Sequence, residues 1–184
     1  MKRVFLNSGG MDSLAVAVKL KDDELHSLYV HTGVPAADAQ AEAARKIADK
    51  YCASHKMIVL HDILVPPTET GRIRPMYYNT PILAILGAAH AASLDIVSVV
   101  SGNKIEVFDS NFEKYMAKLL STTKLRGERM YSRPLGKASF DDIYQIVKDD
   151  ELLDQTVSCL SVPPCGICAK CKNRQKYNIG VTAQ

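Results

Sequence analysis

The sequence predicts an α/β protein with an open, mostly parallel, doubly wound sheet and a small cysteine-rich tail. Three observations carry that expectation. Short runs of branched apolar residues alternate with longer stretches of helical spacing, the pattern of parallel strands joined by crossover helices. A glycine-containing corner, Asn7, Ser8, Gly9, Gly10, Met11, Asp12 and Ser13, directly follows the first apolar run. Four of the five cysteines crowd between positions 159 and 171.

In chain order, strands are expected at Val4 to Leu6, Leu25 to Val30, Met57 to Leu60 and Ile96 to Val100, each short and apolar enough to be covered on both faces. Helices are expected at Ser13 to Lys21, Ala36 to Ser54 and Pro81 to Ser93. The second is Ala-rich, with Ala37, Ala41, Ala44, Ile47 and Ala48 near one face. From Val65 to Tyr78, Pro-Pro, a Gly and another Pro exclude any long regular element, so a loop is expected. A helix at Asp109 to Leu120, an extended piece at Arg129 to Arg133 and a helix at Phe140 to Asp149 follow. This gives an α/β unit over 1–150 and a cysteine-bearing subdomain over 151–184.

With 184 residues, 47% apolar and 23% charged, the chain is expected to be a soluble globular protein with a real core. No run approaches the length of a membrane helix and the N-terminus has no signal-peptide preface, so a cytoplasmic location and no membrane partner are expected. A net charge of +3 is too small to argue for a nucleic-acid surface; only the tail from Lys170 to Lys176 is locally basic.

The opening corner has the chemistry of a phosphate cradle. In a parallel sheet the loop after a strand feeds a helix N-terminus whose free N–H groups attract anions. Gly9 and Gly10 allow close backbone approach, and Ser8 and Ser13 offer hydroxyls. The corner matches neither the Walker loop nor GxGxxG. Asp12 reads equally as a magnesium-orienting carboxylate or as a helix cap.

In the tail, Cys159, Cys165, Cys168 and Cys171 form two overlapping CxxC steps plus a fourth thiolate, which reads as a closed structural zinc site. An iron–sulfur cluster and plain buried cysteines are the alternatives the spacing leaves open. Cys52, on the Ala-rich helix, reads as a small core hydrophobe.

The string Ser8-Gly9-Gly10-Met11-Asp12-Ser13 resembles the pyrophosphate loop of the ATP pyrophosphatases, the adenine nucleotide alpha-hydrolase-like fold. Together with the tail, where Thr156, Ser158 and Cys159 precede the CxxC steps and Arg174 follows them, it resembles the 7-cyano-7-deazaguanine synthase family. The resemblance implies an ATP- and Mg²⁺-dependent carbon–nitrogen ligase that turns 7-carboxy-7-deazaguanine and ammonia into the amide and then the nitrile, for queuosine-type nucleic-acid modification. It also implies a homodimer. By the resemblance, Asn7 to Ser13 and His31 would bind ATP, Asp12 and Lys137 would serve catalysis, and Asn79, Asp109 and Phe112 would hold the base. Arg72 and Arg74 are further phosphate or carboxylate candidates. Asp109 also reads as a helix cap, and Lys137 as a solvated loop lysine.

The chain departs from the family at three places. Gly33-Val34-Pro35-Ala36 stands where the family has Gly-Gln-Arg-His, Tyr78 stands in place of an Arg, and Phe140 in place of a Lys, with Lys137 near enough to substitute. A one-step relative that stops at the amide, an enzyme acting on another carboxylate, a pyrophosphate-loop tRNA thiolase and a non-catalytic nucleotide-binding adaptor are the competing readings.

Overall fold

The computed structural model describes residues 1–60, 79–103, 114–115, 118 and 130–180. Its centre is a five-stranded, all-parallel sheet of order β3-β2-β1-β4-β5, with β1 Lys2–Leu6, β2 Glu24–His31, β3 Ser54–Val59, β4 Ser98–Ser101 and β5 Met130–Ser132. The chain runs outward from β1 through β2 to β3, then crosses to β4 and β5 on the other side of β1. That reversal puts the topological switch point between β1 and β4, where such sheets hold ligands beyond their carboxyl ends.

Side-chain alternation along the strands builds two cores. Val4, Leu6, Leu28, Val30 and Val99 point to one face, where they meet Ala84, Ala88 and Ala91 of α3 (Asn79–Ser93). Phe5, Leu25 and Val100 point to the other, against Leu14 of α1 (Met11–Lys19), Ile47 of α2 (Ala37–Tyr51) and Ile143 of α4 (Phe140–Val147). Helices on both faces make the sheet doubly wound, as the sequence predicts. Leu152, Leu153 and Ile179 join the second core, so the tail shares apolar packing with α1, α2 and α4. Truncating fully buried Leu14 to Ala would cost about 2–5 kcal/mol.

Element ends differ from the sequence-based expectation for local reasons. Helix α1 starts at Met11 because Gly10 is its extended N-cap. Helix α2 stops at Tyr51: Cys52 turns extended (ψ 149°), and Ser54, expected in the helix, pairs with His26 in the ladder of β3. Strand β4 begins two residues late because Asp95, at φ 55°, makes a turn that ties the Ile96 N–H to Ala91. Helix α4 has a capping box at Ser139 and Asp142 and ends at Val147, two residues early. The expected loop Val65 to Tyr78 lies outside the described residues, as does all of the expected helix Asp109 to Leu120 except the helical positions 114, 115 and 118. Among the described residues, no helix is long and apolar enough to cross a membrane.

Candidate functional site

Beyond the carboxyl ends of β1, β2 and β4 lies a cavity of about 630 Å³, inside the usual range for small-molecule sites. The loop after β1 forms its floor with Asn7, Ser8, Gly10, Asp12 and Ser13; Ser101, Gly102 and Asn103 follow β4 on the other side of the switch point.

The loop's shape is set by buried, satisfied polar groups. Asn7, 2% exposed, donates through Nδ2 to Ala44 O at 2.8 Å and to Ser27 Oγ at 3.1 Å, while its Oδ1 accepts from Gly9 N at 3.0 Å. These bonds use both ends of the amide, so Asn7 positions the loop from behind. Gly9 sits at φ +72°, and a Cβ there would lie 2.2 Å from Gln40 O. Only glycine fits. Ser8 N donates to Ser13 Oγ at 3.0 Å and the two hydroxyls are 3.0 Å apart, closing the turn onto the first turn of α1.

Asp12 does not cap the helix: the N-cap is Gly10, which has no side-chain cap hydrogen bond. In the first turn of α1 its carboxylate is favoured by the helix dipole while lining the cavity. Gly102 lies so close to this turn that a Cβ would come 3.1 Å from the Asp12 backbone.

The tail closes the site from above. Val157 N donates to Gly9 O at 2.9 Å, Met11 N to Ser158 Oγ at 3.3 Å, and Ala36 N to Leu160 O at 3.1 Å. Gln40, buried on the Ala-rich face, donates to Cys159 O at 3.1 Å. Val157, Leu160 and Lys170 line the same cavity. Thr156 and Arg174 are tied to each other, Arg174 Nη1 donating to Thr156 Oγ1 at 2.6 Å.

Other expected residues lie elsewhere. The His31 imidazole meets Asp38 Oδ1 at 3.0 Å and is not among the cavity-lining residues, which include its neighbours Val30 and Thr32. Lys137 is exposed in the turn between β5 and α4, and likewise does not line the cavity. Asn79 opens α3, but its side chain lies outside the described residues, as do Arg72, Arg74, Tyr78, Asp109 and Phe112.

The Sγ atoms of Cys159, Cys165, Cys168 and Cys171 all lie within 4.8 Å of one another. Thiolates at about 2.3 Å around one tetrahedral ion stand roughly 3.8 Å apart, and the Cys165–Cys171 separation is 3.9 Å. The set fits a single metal ion. Backbone N–H groups of Cys168 and Ile167 draw the Cys165 thiol down to about 6, whereas burial and the neighbouring Cys168 sulfur push Cys171 up to about 12. A cation is what would let all four ionise together. Cys52 packs against the core, and burial pushes its thiol up to about 12, as befits a core filler.

Sequence reading missed Gln40, Gly102 and Lys170. Gln40 carried a signal: with Ala37 and Ala44 it falls on the buried stripe of α2, where a polar side chain needs a partner.

No family model matches the chain. It is 22% identical to 7-cyano-7-deazaguanine synthase of Methanothermobacter thermautotrophicus, over 96% of this chain and 93% of that protein. Among solved structures, it is similar to the U34-tRNA thiolase NcsA of Methanococcus maripaludis with its [4Fe-4S] cluster (TM-score 0.60, 18% identity, 98% of this chain and 67% of that one). A predicted subunit of tRNA methyltransferase from Methanocaldococcus jannaschii is also similar (TM-score 0.52, 17% identity, 81% and 76%). The chain is thus similar along nearly its whole length to a 7-cyano-7-deazaguanine synthase and shares its fold with the U34-tRNA thiolase NcsA.

Proposed function

We propose that this chain is a cytoplasmic ATP-dependent ligase that converts 7-carboxy-7-deazaguanine and ammonia to the amide and then the nitrile, working as a homodimer. The observation that carries the reading is the glycine corner at the switch point, held open by Asn7 and covered by the cysteine tail. Similarity along nearly the whole chain to a 7-cyano-7-deazaguanine synthase supports this choice of substrate.

In this mechanism a carboxylate oxygen attacks the α-phosphorus of ATP, and pyrophosphate departs into the loop, where backbone N–H groups meet its charge. Ammonia then displaces AMP from the acyl adenylate to give the amide. A second adenylation, on the amide oxygen, lets that oxygen leave with AMP as the nitrile forms and two N–H protons are lost. Asp12 would hold Mg²⁺, which neutralises phosphate charge when bound. The four cysteines would hold a structural zinc, since their sulfurs are packed for one ion.

A thiolase reading draws on the fold alone. It also wants a reactive cysteine outside the metal site, and Cys52 is half-buried with a raised thiol pKa and is not among the cavity-lining residues.

Mass spectrometry of a reaction with 7-carboxy-7-deazaguanine, ATP, Mg²⁺ and ammonium tests the proposal. The nitrile with AMP and pyrophosphate is expected, and amide alone would place the chain as a one-step relative. ATP consumption with no change in the carboxylate would reject the assigned substrate.

A further inference from the structure

We propose that Lys170, carried between two cysteines of the tail, is a phosphate-holding cation of the nucleotide cavity. The proposal rests on reading that cavity as the nucleotide site. Among the described residues that line it, Lys170 is the only lysine or arginine. A triphosphate carries several negative charges, and loop N–H groups supply only partial positive charge. Lys137, the basic residue expected here from sequence, is not among the lining residues.

The other basic side chains nearby have work elsewhere. Arg174 is bound to Thr156, and Lys176 holds both oxygens of Asp141 at 2.8 Å. The Lys170 ammonium makes no hydrogen bond or ion pair among the described residues.

Helix stability does not explain a lysine at this place. Lys170 is the second residue of α5 (Ala169–Lys176), in a first turn that contains no acid. A cation there opposes the helix dipole. The backbone on either side is pinned by candidate metal ligands: Cys168 is the N-cap, its sulfur accepting from Cys171 N at 3.4 Å, and Cys171 is buried. The cysteine cluster thereby fixes where Lys170 starts. A simpler role, balancing the negative charge of the thiolates, would be shared by exposed Lys172 on the same helix, which does not line the cavity.

The test is calorimetric titration of the metal-loaded full chain and its K170A, K170R and K172A variants with ATP, inorganic pyrophosphate and adenosine, with metal content and melting temperature checked in each. K170A is expected to weaken ATP and pyrophosphate binding by about tenfold or more while leaving adenosine within about twofold. K170R should recover most of the loss, and K172A should bind all three like the native chain. Equal ATP and pyrophosphate binding by native and K170A proteins overturns the proposal alone, as does an equal loss in K172A. A native chain that binds neither ATP nor pyrophosphate overturns the nucleotide reading and the proposal with it.

Discussion

The loop Asn7 to Ser13 and the tail Cys159 to Cys171 face each other across one cavity, yet they are held by different means. The loop is preformed: a buried asparagine, a left-handed glycine and a serine pair fix it using the chain's own bonds. The tail has little of that kind. Helix α5 buries only Cys171, and Cys165 is exposed. Its shape converges on four sulfurs, where a bound metal would supply what hydrogen bonds supply to the loop. One half of this site is fixed by folding, and the other half would be fixed by ligation.

Variants that break the loop should have the largest effect. Gly9→Ala adds a Cβ 2.2 Å from Gln40 O at a left-handed position, a strain of about 2 kcal/mol or more. ATP affinity should fall by more than about tenfold in titration. Metal removal should be next, lowering the melting temperature by several degrees (each kcal/mol is worth about 2–4 °C at this size) and weakening ATP binding, because Val157 and Ser158 lose their seat on the loop. A chelator titration followed by scanning calorimetry checks this; an unchanged transition would mean the tail holds itself.

Asn7→Ala strands Gly9 N, which the Asn7 side chain satisfies, and should cost about 1–3 kcal/mol in urea unfolding. Asp12→Asn should leave the fold intact and reduce Mg²⁺-dependent turnover by about a hundredfold, readable as AMP release.

The smallest effect concerns the contact between the end of α2 and Asp150. Burial pushes the Asp150 carboxyl up, but the Tyr51 hydroxyl, the Leu152 N–H and Lys50 outweigh it and hold the carboxyl below its ordinary 3.8. A depressed carboxyl contributes stability that is present above its unfolded value and lost as pH falls through the folded one. Asp150→Asn should accordingly lose about 1–3 kcal/mol at neutral pH, and the difference from native should shrink below about pH 4, measured by denaturation across pH.

Much of this was legible from local rules. Branched apolar runs gave the strands, and the glycine corner announced the switch-point loop before any topology was known. The cysteine spacing gave the four sulfurs that the fold brings together. The sequence could not show that the tail returns to the loop, because contacts such as Val157 to Gly9 join residues far apart in the chain. Lys170 was visible only as part of a basic stretch, since its relation to the cavity depends on that return. His31, expected in the pocket from its place after β2, meets Asp38 of the next helix through Nε2, a pairing that sequence alone did not announce.

The proposed chemistry adenylates the carboxylate in the cavity between loop and tail. Carboxylate-¹⁸O 7-carboxy-7-deazaguanine, turned over with ATP, Mg²⁺ and ammonium, tests it directly. Adenylation predicts ¹⁸O in the phosphate of released AMP, in step with amide or nitrile formed. Label in orthophosphate, or product formed with unlabelled AMP, would contradict it.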